Sequence, residues 1–290
     1  MIGIGLGLGI GQSTVRRNVL PNSIYRLVDG PFLFELCKEV CKINGTEEFD
    51  LNLYGLSFGA YRTVYYDALP VKKAKQTKAD FEEIETKKLD FLNNIRAYPN
   101  MQVKDGITRL KTEGRKKDAS EVLEQKGVDT WIAVDAVKYA LTGVAEEIEI
   151  ITADSDIYPV FEVIRETRAK GVLRYAVGRT KSELIFSADI ARAMGISEVA
   201  GLANIPMGKA TSTNAHVPFS KDFEFELDDA RYECGKLDDW YVVNKTDKNG
   251  LPTSLKTDHY LCIISWLETF SKTRRWSDFD EKISRLKQAH

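Results

Sequence analysis

Apolar residues in this chain fall into short blocks separated by longer amphipathic stretches. The blocks at 24–28 (Ile24-Tyr25-Arg26-Leu27-Val28), 61–66, 100–103, 147–152 and 172–177 are rich in β-branched and aromatic residues, as strands are. Between them, 32–43, 79–97, 117–126, 131–142, 158–170 and 181–194 have helical character. In 79–97, Phe81, Ile84, Phe91, Leu92 and Ile95 share roughly one face, with acids and lysines elsewhere. Gly171, behind Arg168 and Lys170, has the position of a C-cap glycine; Gly127 ends its helix, and Asp129 stands as N-cap of the next. Alternation of this kind predicts an α/β fold with a mostly parallel sheet covered on both faces.

The pattern changes near residue 205. Gly208 to Ser220 is rich in Thr, Ser, Asn and Pro, as a linker or surface loop would be. Beyond it, Phe223, Phe225 and Leu227 alternate with acids as in a half-buried strand, and Trp240-Tyr241-Val242-Val243 precedes a turn at Lys248-Asn249-Gly250. From Tyr260 to Leu286 the chain reads as one or two helices with a basic knot at Lys272, Arg274 and Arg275. The expected organisation is therefore a Gly-rich arm at 1–21, a main domain at 22–204 and an α+β extension at 205–290. In the arm, glycine at every second position spells neither a dinucleotide fingerprint nor a P-loop. It reads as a flexible arm or as an extended segment packed on another backbone, for instance that of a partner subunit.

Composition narrows the chemistry. The 290 residues carry a formal net charge of −2, so contact with nucleic acid must come from local basic patches. The four cysteines show no CxxC pair and read as reduced, buried thiols of a cytoplasmic protein. Nothing in the arm is long enough to span a bilayer. Only His216, His259 and His290 occur, all late in the chain, which argues against a histidine-rich zinc site or a Ser–His–Asp triad in the main domain. Its chemistry falls to carboxylates, metals or backbone.

Carboxylates stand where such chemistry is done. Asp154 and Asp156 follow the strand block ending at Ile151, Asp29 follows the first strand block, and Asp129 opens a helix. The carboxyl ends of parallel strands are where open α/β sheets bind ligands. Taken singly, Asp29-Gly30-Pro31 is an ordinary turn, and Asp135 is a solvated or helix-satisfying residue. Taken together, the acids would crowd one mouth. Two unit charges about 4 Å apart repel by roughly 4 kcal/mol at an effective dielectric near 20. Protons or a hard cation such as Mg²⁺ or Mn²⁺ would have to offset that.

The blocks Gln125-Lys126-Gly127-Val128-Asp129 with Ala133-Val134-Asp135, and Ile150-Ile151-Thr152-Ala153-Asp154-Ser155-Asp156, resemble the NYN domain of the PIN-like metal-dependent nucleases. Tyr65-Tyr66-Asp67-Ala68, Ser182-Glu183-Leu184 and Ala188-Asp189 fit the same pattern, and the likeness extends over about 22–200. It implies a Rossmann-like three-layer α/β/α sandwich and cleavage of phosphodiester bonds, mostly of RNA. It also implies that Asp29, Asp129, Asp154 and Asp156 are the catalytic, Mg²⁺- or Mn²⁺-binding acids. Phe32 stands where the family often has Asn.

The resulting expectation is an endoribonuclease acting on single-stranded RNA. Arg109, Lys111, Arg115, Lys116 and Lys117 would hold the backbone, and Tyr65, Tyr66, Tyr158 and Trp131 would be available to stack on bases. The arm or the C-terminal extension would serve a homo-oligomer or a partner protein. Three rivals remain: a degenerate NYN domain that binds RNA or protein without cleaving; a DxD glycosyltransferase, which would leave Asp29 and Asp129 idle; and a phosphatase of the haloacid dehalogenase type, against which no Thr or Gly-Thr follows the DxD.

Overall fold

The computed structural model describes residues 23–72, 76–113 and 120–270, with 107–113 and 120–126 as backbone. The Gly-rich arm and the basic knot at Lys272, Arg274 and Arg275 lie outside these residues. The first half runs β1 (Ile24–Asp29), α1 (Gly30–Asn44), α2 (Leu53–Ser57), β2 (Arg62–Ala68), α3 (Lys78–Ala97), β3 (Met101–Glu113), β4 (Ser120–Lys126) and α4 (Val128–Thr142). It continues through β5 (Glu147–Ile151), a 3₁₀ turn at Ser155–Ile157, α5 (Tyr158–Arg165), β6 (Lys170–Tyr175), α6 (Ser182–Ser187), β7 (Ile190–Ala193) and α7 (Ile196–Leu202).

These strands form one seven-stranded sheet in the order β4-β3-β2-β1-β5-β6-β7, parallel except for β4, which runs against β3. The chain steps outward from β1 to β3, then restarts on the other side of β1 with β5. The reversal of strand order lies between β1 and β5, where a crevice opens at the carboxyl edge of such sheets. Period-two alternation sends Leu27, Tyr66 and Ile150 to the face covered by α4 and α5, and Val28, Tyr65 and Ile151 to the face covered by α1. The three-layer α/β/α sandwich is thus present. On the α1 face, Glu149 is 2% exposed, hydrogen-bonded to Arg26 and 3.6 Å from Arg174, whose other partner is Glu198.

The rest of the chain builds a second, antiparallel sheet from β8 (Ala210–Thr213), β9 (Ser220–Leu227), β10 (Ala230–Leu237), β11 (Trp240–Thr246) and β12 (Pro252–Thr257), in the order β8-β12-β11-β10-β9, followed by α8 (Tyr260–Phe270). Its Tyr232, Val243 and Leu255 share a hydrophobic cluster with Leu261 and Ile264 of α8, Val199 of α7 and Leu36 of α1. The alternating strand at Phe223 and the turn after Trp240 are where the sequence puts them.

Several local expectations fail for physical reasons. The segment 120–126 has helix-forming composition but pairs with β3 from Glu113↔Ser120 to Ile107↔Lys126, so ladder hydrogen bonds to β3 override local preference. The helix expected over 158–170 stops at Arg165. Thr167 donates its hydroxyl to the Ile164 carbonyl and accepts the Ala169 N–H, closing the end. Gly171 is therefore no cap. It lies in β6 because a Cβ there would meet the Phe161 ring at 2.7 Å. The helix expected over 181–194 ends at Ser187; Asp189 beyond it accepts the Gly171 N–H at 2.8 Å, and 190–193 pair with β6. The polar stretch after Gly208 contains the edge strand β8 rather than a plain linker.

Candidate active site at the carboxyl edge of the sheet

Asp29 is the last residue of β1 and the N-cap of α1, accepting the Phe32 N–H at 3.2 Å; Pro31 suits the first turn, where its missing N–H costs nothing. This strand-to-helix junction replaces the ordinary turn expected at Asp29-Gly30-Pro31. Gly30 is needed because a Cβ there would lie 2.6 Å from both the Tyr65 ring and the Tyr66 carbonyl. The second Asp29 oxygen accepts the hydroxyl of Thr152 at 2.8 Å, and the same hydroxyl oxygen accepts the Asp154 N–H at 3.1 Å. Thr152 thus ties the first acid to the Asp154–Asp156 block across the crevice. Its signal in the sequence is a hydroxyl closing an otherwise apolar strand block.

Asp154 caps the 3₁₀ turn by accepting the Asp156 N–H at 2.9 Å, while Asp156 is exposed at the rim. Asp129 lies in the first turn of α4, but the N-cap is Gly127, in the left-handed region at φ 89°. With no capping work to do, the half-buried Asp129 carboxylate is left to its acidic neighbours. Lys181, exposed at the start of α6, reaches Ser155 at 3.3 Å and adds a cation to the rim that the sequence did not single out.

Electrostatics separate these acids from others at the same edge. Burial pushes the Asp29 carboxyl up to about 6, against its hydrogen bonds from Thr152 and Phe32, with Asp129 and Asp154 adding repulsion. Asp129 is raised by burial and then by Asp154 and Asp156. Among the described residues, none of Asp29, Asp129, Asp154 and Asp156 has a cationic partner. By contrast, Asp67 pairs with Lys88 at 2.6 Å. Asp135, expected to be solvated, is 1% exposed and receives Lys104 and the Tyr66 hydroxyl, each at 2.6 Å. Among the described residues, the acids that act as struts are paired with cations and these four are not.

Oxygen donors placed so that the Asp154 charge acts on both Asp29 and Asp129 suit a hard divalent cation in chemistry and in charge. Among the described residues, no three His, Cys, Asp or Glu side chains form a ready metal cage. The acids therefore surround a shared mouth that a cation would have to draw together.

The other named residues fall in different places. Arg109 and Lys111 lie on the part of β3 that runs past its pairing with β2 into the ribbon with β4, while Arg115, Lys116 and Lys117 are outside the described residues. Tyr65 and Tyr66 are 1% and 0% exposed and cannot stack on a ligand, because each fills one face of the sheet. Tyr158 and Trp131 are open to solvent. Phe32 packs against the core on the α1 side, offering the site only its backbone N–H.

A parallel-sheet sandwich with uncompensated acids at its strand-order reversal defines a PIN-like α/β domain. Residues 60–194 match the family model of the NYN domain. The match takes in Asp129, Asp154 and Asp156 and leaves Asp29 outside it. NYN domains are part of the PIN-like nuclease superfamily. Among solved structures, a protein of unknown function from Vibrio parahaemolyticus is 17% identical, with 59% of this chain and 91% of that one covered at a TM-score of 0.35. A chitinase from Chromobacterium violaceum is 8% identical, covering 91% and 98% at a TM-score of 0.22. Scores this low say nothing about function. No curated protein matches the chain. Among the described residues, no helix is long and apolar enough to cross a membrane.

Proposed function

We propose that the crevice is a metal-dependent nuclease centre hydrolysing phosphodiester bonds, acting as an endoribonuclease on single-stranded RNA. The observation that carries this reading is the set of four acids at one sheet edge that have no cationic partner among the described residues, where neighbouring acids are paired. Asp29, Asp129 and Asp154 would hold one or two Mg²⁺ or Mn²⁺ ions, with Asp156 at the rim as ligand or proton acceptor. Such an ion supplies a more acidic water and offsets charge growing on the phosphate oxygens.

The chain's own residues prepare that chemistry. Thr152 and the Phe32 N–H fix both Asp29 oxygens, and Thr152 also fixes the start of the Asp154 turn. The rim cation Lys181 and the ribbon residues Arg109 and Lys111, continuing towards Arg115, Lys116 and Lys117, would hold backbone phosphates. The Thr152 link between Asp29 and the DSD block supports a nuclease over a DxD glycosyltransferase, which needs only the latter pair. The lack of a ready cage favours, as second reading, an NYN domain that binds RNA without cutting.

The test is a Mg²⁺ and Mn²⁺ titration with end-labelled single-stranded RNA, with EDTA as control. Asp154→Asn keeps the turn's acceptor oxygen, so it should fold normally yet lose more than about 100-fold in cleavage, since outer partners of metal ligands alone cost about 10–100-fold. Undiminished turnover in this variant would refute the assignment. RNA binding without cleavage in every divalent metal would establish the second reading.

A further inference from the structure

We propose that Trp131 is a base-stacking platform holding one unpaired base of the substrate strand beside the acidic crevice. The inference rests on the nuclease reading and adds a subsite to it. Trp131 lies two residues after Asp129, which at 3.6 residues per turn puts them roughly 200° apart around the first turns of α4. One side of the helix end therefore faces the acids of the β5 side, and the other faces β3.

The indole is 44% exposed, yet it is not loose. The Lys104 ammonium lies 4.6 Å from the ring centroid, occupying one face. That ammonium also donates to Asp135 Oδ1 at 2.6 Å, and Asp135 Oδ2 accepts the Tyr66 hydroxyl at 2.6 Å. Asp135 is 1% exposed and Tyr66 0%, and Asp135 sits one turn after Trp131 on the same helix face. A ring is thus fixed to the sheet through a cation and a buried carboxylate, with a little under half of the residue's surface in water. Folding does not require this: a Trp with so much surface in solvent gains only part of the burial energy it could have.

A fixed aromatic that is partly open to solvent suits stacking, because its ordering entropy is spent before the ligand arrives. Lys104, itself 30% exposed, holds its ammonium at the ring while pairing with Asp135, so a nearby phosphate would share this cation with a buried carboxylate. Val134 and Leu141 extend an exposed apolar line along α4, but the cation stands at the Trp131 end. The nuclease reading, rather than a net charge, makes an unpaired base the occupant, and a second protein is the alternative the test separates.

The full chain, Trp131→Ala, Trp131→Phe and Lys104→Met are compared for binding to fluorescein-labelled single-stranded RNA in EDTA, and for kcat and KM in Mn²⁺. Loss of the ring should weaken binding by about 5- to 150-fold, the equivalent of about 1–3 kcal/mol per stacked base, and raise KM with kcat unchanged. Trp131→Phe should restore most of the affinity. Oligonucleotides with a single abasic site moved along the strand should contain one position at which wild type and Trp131→Ala bind alike. Equal affinity and equal KM for Trp131→Ala and wild type on intact RNA would overturn the platform while leaving the nuclease intact. So would a penalty that persists at every abasic position, or a loss of self-association with RNA handling unchanged. A wild-type chain that neither binds nor cleaves nucleic acid would remove both readings together.

Discussion

Asp29→Asn should make the protein more stable at neutral pH. The Asp29 carboxyl is 8% exposed and pushed up to about 6 from an unfolded value of 3.8. An acid whose folded pKa is raised binds its proton more tightly in the folded state. Stability is then greatest below about pH 4 and is lost as pH rises through about 6. A separation of about 2 pH units, at about 1.36 kcal/mol each, amounts to roughly 3 kcal/mol withheld above pH 6. The amide keeps the cap, because its oxygen still accepts the Phe32 N–H, and its NH₂ meets the Thr152 oxygen. The Thr152 proton then loses its acceptor, at about 1 kcal/mol. A net gain of about 1–2 kcal/mol at pH 8 remains, or several degrees in Tm at about 2–4 °C per kcal/mol. Calorimetric unfolding of both proteins in EDTA from pH 4 to 8 measures it. The gap should be widest at pH 8 and should close or reverse by pH 4. A variant less stable than wild type at pH 8, or a gap indifferent to pH, would show that Asp29 carries no uncompensated charge.

Two further expectations concern the scaffold. Glu149→Ala leaves Arg26 and Arg174 facing a buried void on the α1 side of the sheet and should cost about 3–5 kcal/mol, read by urea unfolding; a cost below about 1 kcal/mol would contradict the pairing. Gly171→Ala forces a methyl to within 2.7 Å of the Phe161 ring and should destabilise by about 1–3 kcal/mol, whereas a cap glycine at positive φ would respond through backbone strain alone. Repacking by Phe161→Leu should relieve part of the Gly171→Ala penalty and none of a backbone penalty.

How much of this could be read from the chain depends on how local each feature's causes are. The strands β1, β2 and β5 show because buried parallel strands are near-continuous apolar runs, and Asp29 and Asp154 show because polarity resumes where such a run leaves the core. Strand β4 does not show, because its helix-forming residues are held by their pairing with β3. Asp135 misleads for the same reason. Its charge is met by Tyr66, 69 residues away, and by Lys104, 31 away, contacts that no window along α4 contains. Asp129 is instructive: the sequence places it at the right helix end but gives it a capping duty that Gly127 assumes. Free of that duty, it can serve the crevice. Thr152 passes unnoticed because a threonine at a strand end is unremarkable until its two hydrogen bonds are seen.

Everything chemical here depends on whether the four uncompensated acids take up a divalent ion together. Titrating Mn²⁺ into the full chain at pH 7.5, with binding followed by calorimetry and by loss of the free-ion paramagnetic resonance signal, answers that. Uptake of one or two ions should occur in wild type and be abolished or reduced at least about 10-fold in both Asp29→Asn and Asp154→Asn. At pH 6, where the Asp29 carboxyl still holds part of its proton, uptake should release protons to the buffer. Wild-type binding that survives both substitutions unchanged, or no uptake at millimolar Mn²⁺, would mean that the crevice at the end of β1 and β5 is not a metal site.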